Sequence, residues 1–91
     1  MIDLLLTPQD LQTRIAGRVR DLRKRQGWTQ QELAERSGLG VATVARLERN
    51  GQAQFSTILL VSAALGRLDD FQAILEAPAP ESMAELLGRA P

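Results

Sequence analysis

The sequence holds no cysteine and no histidine. Without Cys there is no disulfide to staple a small fold and no thiolate nucleophile. Without His, a frequent general base and common zinc ligand is gone, and a zinc site would have to rest on carboxylates alone, as structural sites rarely do. Aromatic residues are scarce, one Trp and two Phe with no Tyr. No alternating run of apolar and polar residues exceeds a few positions, so strand signals are nearly absent. No stretch approaches the roughly 20 apolar residues of a membrane span. The opening Met1-Ile2-Asp3-Leu4-Leu5-Leu6 is short, carries an acid and lacks a basic leader, which makes a poor signal peptide. Carboxylates, Ser, Thr and Lys24 are what remains for catalysis, and no pair of them forms a recognisable arrangement. The sequence therefore predicts no enzyme, no metal and no cofactor, and the lack of Cys fits a cytoplasmic, reducing compartment.

What is present is a chain of 91 residues, room for one small domain. A domain of that size buries only about 60–65% of its unfolded surface and is marginal alone. Its 44% apolar content is enough to fold rather than stay disordered. The formal net charge is zero, which at first argues against a polyanionic partner. The distribution argues the other way. Residues 14–49 hold nine basic side chains (Arg14, Arg18, Arg20, Arg23, Lys24, Arg25, Arg36, Arg46, Arg49) against four acids (Asp21, Glu32, Glu35, Glu48), a net of +5. The flanks hold Arg67 and Arg89 against seven acids, a net of −5. A polyanion responds to the field of one face, not to the sum. Taken alone, Arg18–Arg25 reads equally well as a solvated helix face.

Successive short helices account for the pattern. Thr7, Pro8 and Asp10 form a helix start, and Leu11, Ile15, Val19 and Leu22 make one apolar stripe ending at Gln26-Gly27. Thr29-Gln30-Gln31-Glu32 is a second capping box, with Leu33 and Ala34 inward and Gly38 as the stop. A third helix follows Gly40, with Val44 and Leu47 inward, Val41 at the edge and Asn50-Gly51 at its end. Ser56 is expected to cap a fourth helix reaching Leu65, with Phe55 stapled onto Leu60. That helix is apolar nearly all round, which marks a central helix or one shared with a partner. Asp69 and Gln72 predict a fifth helix carrying Phe71, Ile74 and Leu75. Ala77-Pro78-Ala79-Pro80 is a stiff linker. Met83, Leu86 and Leu87 beyond it fit a short helix over 81–88, too short to be stable unless docked. The expected organisation is a lead over 1–7, a domain over 8–76 and a Pro-containing tail over 77–91.

Two helices of about eight residues joined by a Gly-containing turn over 29–49 have helix-turn-helix spacing. Small Ala34 lets the pair approach, and Gly38 permits the turn. The stretch from Arg14 to Gly66, with "WTQQELAERSGLGVATVARLERNG" followed by "FSTILLVSAALG", resembles the Cro/C1-type (XRE) helix-turn-helix family. The resemblance implies an all-α, compact five-helix lambda-repressor-like domain whose third helix enters the major groove, with the Pro-interrupted tail appended. It implies sequence-specific DNA binding and transcriptional repression. Gln30 matches a glutamine that bonds phosphate, and the helix N-terminus formed by Thr29, Gln30 and Gln31 adds backbone N–H donors. Arg23 and Glu48 match a partly buried ion pair; the alternative for Arg23 is another phosphate contact.

Gly40, Val41, Ala42, Thr43, Ala45 and Arg46 fall on the exposed side of the third helix. Base reading is expected of Val41, Ala42, Thr43 and Arg46, and backbone contact of Gly40, Arg49 and Asn50. Arg46 can give two bonds to guanine O6 and N7, while Val41 and Ala42 can only pack, most simply on a thymine methyl. Thr43 can bond a base or a phosphate. Asn50 serves equally well as a plain C-cap. Relatives carry Gln-Gln where Val41-Ala42 stands, so much of the specificity here falls to DNA shape. Trp28 reads as core, with base stacking as the sharper alternative.

One such domain reads a short half-site, so a homodimer on a palindromic operator is expected, at the nucleoid when bound. Leu4-Leu5-Leu6 either joins the interface or caps the core. The lead with "TPQDL" and the Pro-interrupted tail are similar to HipB-like antitoxins, which repress their own operon and bind a HipA-like kinase toxin. A stand-alone phage or host repressor is the alternative. A protein-binding adaptor that uses the fold without DNA is a second, against which the basic bias and Arg46 argue.

Overall fold

The computed structural model describes residues 5–80, 82, 87 and 88. Two threonines start the first two helices by the same device. The Thr7 side chain accepts from the Asp10 N–H (3.0 Å) and the Asp10 carboxylate accepts from the Thr7 N–H (3.2 Å), ahead of α1 (Pro8–Arg25). Thr29 and Glu32 repeat the exchange at 3.1 and 2.8 Å ahead of α2 (Gln30–Ser37). Each box satisfies the N–H groups of the cap and of the third helical residue, which no carbonyl within the helix can reach. A left-handed Gly38, φ 73°, ends α2 and turns the chain within three residues into α3 (Val41–Asn50). Then come α4 (Phe55–Ala64) and a short 3-10 helix (Leu68–Phe71). The described residues contain no strand.

The third helix lies across α1 and α2, and α4 closes on α2. Val19 of α1, Leu33 and Ala34 of α2, Val44 and Leu47 of α3, and Val61 and Leu65 at α4 form one core. Leu33, Val44, Leu47 and Val61 are fully buried, each contributing roughly 1.5–3 kcal/mol. Ser37 is buried among them, and its hydroxyl donates to the Leu33 carbonyl at 2.7 Å. The end of α3 is fixed to α1 by Gly51, which is buried with φ 75°. A Cβ there would lie 2.8 Å from the carbonyl carbon of Gln12, so only glycine lets the two backbones come this close.

The structure corrects several expectations. There are four α-helices among the described residues, not five. After left-handed Gly66, the segment carrying Asp69, Phe71, Ile74 and Leu75 makes one 3-10 helix and turns, and Leu75 itself sits at φ 60°. Pro78 disfavours helical geometry for Ala77, so few residues remain for a helix. Ile74 and Leu75 are exposed, so no apolar face is buried to hold one. The cap of the fourth helix lies two residues earlier than expected. Gln54 occupies the cap position without a side-chain bond, and Ser56 lies inside the first turn. In that register Ala53 and Ile58 hold the positions of the staple, and both pack against the core. Phe55 instead meets Phe71 edge-on, with ring centroids 6.0 Å apart. Along α1 the buried residues are Ala16 and Val19, while Leu11 is exposed and the stripe meets the core only from Ile15 onward. Leu5 is exposed and caps nothing, Leu6 is half-buried, and Leu4 lies outside the described residues. Of the tail helix expected over 81–88, Leu87 and Gly88 are helical and exposed, in keeping with the expectation, and Glu81 and the stretch 83–86 lie outside the described residues.

Candidate nucleic-acid interface

The anchoring of α3 leaves its other side open. Val44 and Leu47 have no exposed surface and Glu48 has 2%, so one side of the helix is held by the core. Val41, Ala42, Arg46 and Arg49 on the opposite side are exposed, and Thr43 and Ala45 are half-buried at its margins. The helix starts at Gly40 with no side-chain cap. Its first N–H groups are therefore available to an external acceptor. At the start of α2, Thr29 and Glu32 cap each other, which leaves the N–H groups of Gln30 and Gln31 in the first turn without a capping side chain. The Gln31 amide donates to Glu35 at 3.2 Å along the helix surface. Asn50 is the last residue of α3, and its side-chain carbonyl accepts from the Gln52 N–H at 3.0 Å, which closes the turn around Gly51.

Behind this face, Arg23 and Glu48 form a two-pronged ion pair, Nε to Oε2 at 2.7 Å and Nη2 to Oε1 at 2.9 Å. The third nitrogen of Arg23 donates to the Trp28 carbonyl at 2.8 Å, so the guanidinium is engaged inside the protein on every nitrogen. Arg23 thus forms the ion pair that the resemblance implied, with one N–H left on each of its two terminal nitrogens. Gln30 also turns inward, giving one amide N–H to Glu48 Oε1 at 3.0 Å. Trp28 is half-buried against the core, with the Arg36 guanidinium 4.2 Å above its ring, so no free face is presented for base stacking on that side.

Two short helices packed on each other, a glycine turn between them and an exposed outer side on the second are the features of a DNA-reading motif. A helix-turn-helix family profile matches residues 19–71, more than half the chain. The chain belongs to the Cro/C1-type helix-turn-helix family. That family is one of DNA-binding transcription regulators. Searches of curated proteins and of solved structures returned no match. No helix among the described residues is long and apolar enough to cross a membrane.

In this helix-turn-helix protein the ion pair sets the electrostatics behind α3. Burial pushes the Glu48 carboxyl up, but hydrogen bonds from Arg23 and Gln30 and the charges of Arg23 and Arg20 outweigh it and hold the group below its ordinary value. Glu48 is thus ionised at neutral pH and ties α1, α2 and α3 together through one carboxylate. Arg20 adds a bond from Nη2 to the Glu48 backbone carbonyl at 3.2 Å, at the C-terminal end of α3 where a cation is favourable. Sequence reasoning counted Arg20, Lys24 and Arg36 in the basic excess but gave none of them a place. Gln30 and Glu48 are 18 residues apart and Arg20 and Glu48 are 28 apart, and no periodicity links positions so separated.

Proposed function

We propose that this chain binds double-stranded DNA sequence-specifically as a homodimer and represses transcription. The supporting observation is the outer side of α3, left exposed by the described residues while Val44, Leu47 and Glu48 anchor the helix from behind. In this reading Val41, Ala42, Thr43 and Arg46 meet base edges in the major groove. Thr29, Gln30, Gln31, Gly40, Arg49 and Asn50 meet the backbone, Gln30 with the amide N–H that Glu48 does not take. The second copy is supported by apolar side chains left in solvent around α4 and the 3-10 helix: Phe55, Leu60, Leu68, Ile74 and Leu75. Two copies place their reading helices about 34 Å apart, one turn of the duplex, on a palindrome.

The test is a mobility shift with the DNA immediately upstream of the coding sequence, against a scrambled duplex at the same salt. A shift that survives excess scrambled competitor, together with lowered reporter expression from that promoter, supports the reading. Equal competition by the scrambled duplex contradicts it. The finer assignment is an antitoxin like the HipB proteins that binds a HipA-like kinase toxin. It rests on the "TPQDL" lead and the Pro-interrupted tail. Deleting residues 78–91 should then abolish kinase binding and spare DNA binding; retention of both contradicts it.

A further inference from the structure

A shallow hollow of about 340 Å³ opens between α1 and α3, beside the start of α2. Arg20, Lys24 and Arg49 stand around it, with Arg23, Gln30 and Glu48 also in its lining. Arg23 and Glu48 neutralise each other, so the hollow is left with the three charges of Arg20, Lys24 and Arg49 and no free acid among its lining residues. The side chains of Lys24 and Arg49 make no hydrogen bond or ion pair with the described residues. Among the described residues, the Arg20 side chain has only the bond to the Glu48 carbonyl. Like charges gathered this way repel one another unless an anion lies among them. Ala45 and Gln30 form part of the same lining, so the hollow is continuous with the outer side of α3 and with the N-terminus of α2.

We propose that this hollow seats backbone phosphate of the bound duplex, with Arg20 and Lys24 of α1 as direct contacts. The proposal rests on the DNA-binding reading and adds a third helix to the surface that touches DNA. The contacts carry no sequence information. They fix the angle at which α3 enters the groove, since they hold the protein on one side of the strand while α2 holds it on the other.

Each phosphate contact contributes about 0.9 to the slope of log affinity against log salt concentration. Fluorescence anisotropy with a labelled mixed-sequence duplex across a salt series measures that slope. Lys24→Gln is expected to lower it by about 0.9, and Arg20→Gln with Lys24→Gln by about 1.8. Arg20→Lys with Lys24→Arg keeps both charges and keeps the slope. Arg18→Gln removes the same charge from the part of α1 that faces a separate hollow toward α4, and leaves the slope unchanged. Circular dichroism checks that each variant folds. Should loss of Arg20 loosen α3, Lys24→Gln decides alone, because the Lys24 side chain bonds to none of the described residues. A slope for Lys24→Gln equal to that of Arg18→Gln overturns the phosphate seat and leaves the DNA-binding reading intact. A wild-type protein that binds no duplex even at low salt overturns both.

Discussion

Glu48→Ala probes how firmly the reading helix is held. The wild-type carboxylate is almost wholly buried and accepts three hydrogen bonds, two from Arg23 and one from Gln30. Truncation leaves the Arg23 guanidinium, itself 11% exposed, without a counter-charge, and breaking a buried pair from one side costs roughly 3–5 kcal/mol. Domains of this size are stable by about 5–15 kcal/mol, so the loss is a large share of the whole. At roughly 4–8 °C per kcal/mol for a small domain, the melting temperature should fall by at least about 12 °C. Urea unfolding followed by the fluorescence of Trp28, the chain's one Trp, reports from the same corner, since the Trp28 carbonyl is the third acceptor of Arg23. Replacing both partners by apolar residues, Arg23→Met with Glu48→Leu, should recover most of the loss, because the desolvation of two charges is removed along with their attraction. A cost below about 1 kcal/mol for Glu48→Ala, the range of exposed ion pairs, would refute the claim that this carboxylate ties the three helices.

The same carboxylate gives a pH dependence. Its folded-state affinity for protons lies below the ordinary one, so its contribution is present above the ordinary glutamate range and fades as pH falls through the lowered folded value. Glu48→Gln should therefore be less stable than wild type at neutral pH, and the difference should shrink below about pH 4.3; a difference independent of pH contradicts the lowered value. Gly51→Ala and Gly38→Ala should differ although both positions have φ near 75°. An added Cβ meets nothing within 4 Å at Gly38 but crowds the Gln12 backbone at Gly51. Gly38→Ala should cost about 1–2 kcal/mol from the left-handed backbone alone, and Gly51→Ala clearly more; equal costs in urea titration would remove the close approach from the account.

Local chemistry made most of the fold legible. Thr7 with Asp10 and Thr29 with Glu32 are spaced to cap one another whatever the rest of the chain does, and Gly38 and Gly51 mark left-handed stops. Leu33, Val44 and Leu47 are recognisable as inward positions from a period of 3.6 alone. The failures fall where tertiary packing decides. Periodicity gave Asp69–Leu75 a helix, but no surface is there to cover Ile74 and Leu75, and the backbone takes a 3-10 turn instead. The cap of α4 shifted by two residues because Ala53 and Ile58, not Phe55 and Leu60, reach the core. At the candidate site the outward positions of α3 follow from the same helical period, whereas the inward turn of Gln30 and the placing of Arg20 and Lys24 beside Arg49 depend on three helices meeting. No local pattern encodes that meeting.

The most direct measurement compares wild type and Arg46→Ala by sequencing the duplexes each selects from a randomised pool. Arg46 is exposed on the reading side of α3, and its side chain forms no hydrogen bond or ion pair with the described residues. An arginine on guanine is worth roughly 1–3 kcal/mol of discrimination, about five- to 150-fold in affinity. The variant should lose preference for guanine at one position in each half-site and keep the preference elsewhere, with an unchanged far-ultraviolet spectrum. Identical selected sequences for the two proteins would contradict base reading by this face of the helix.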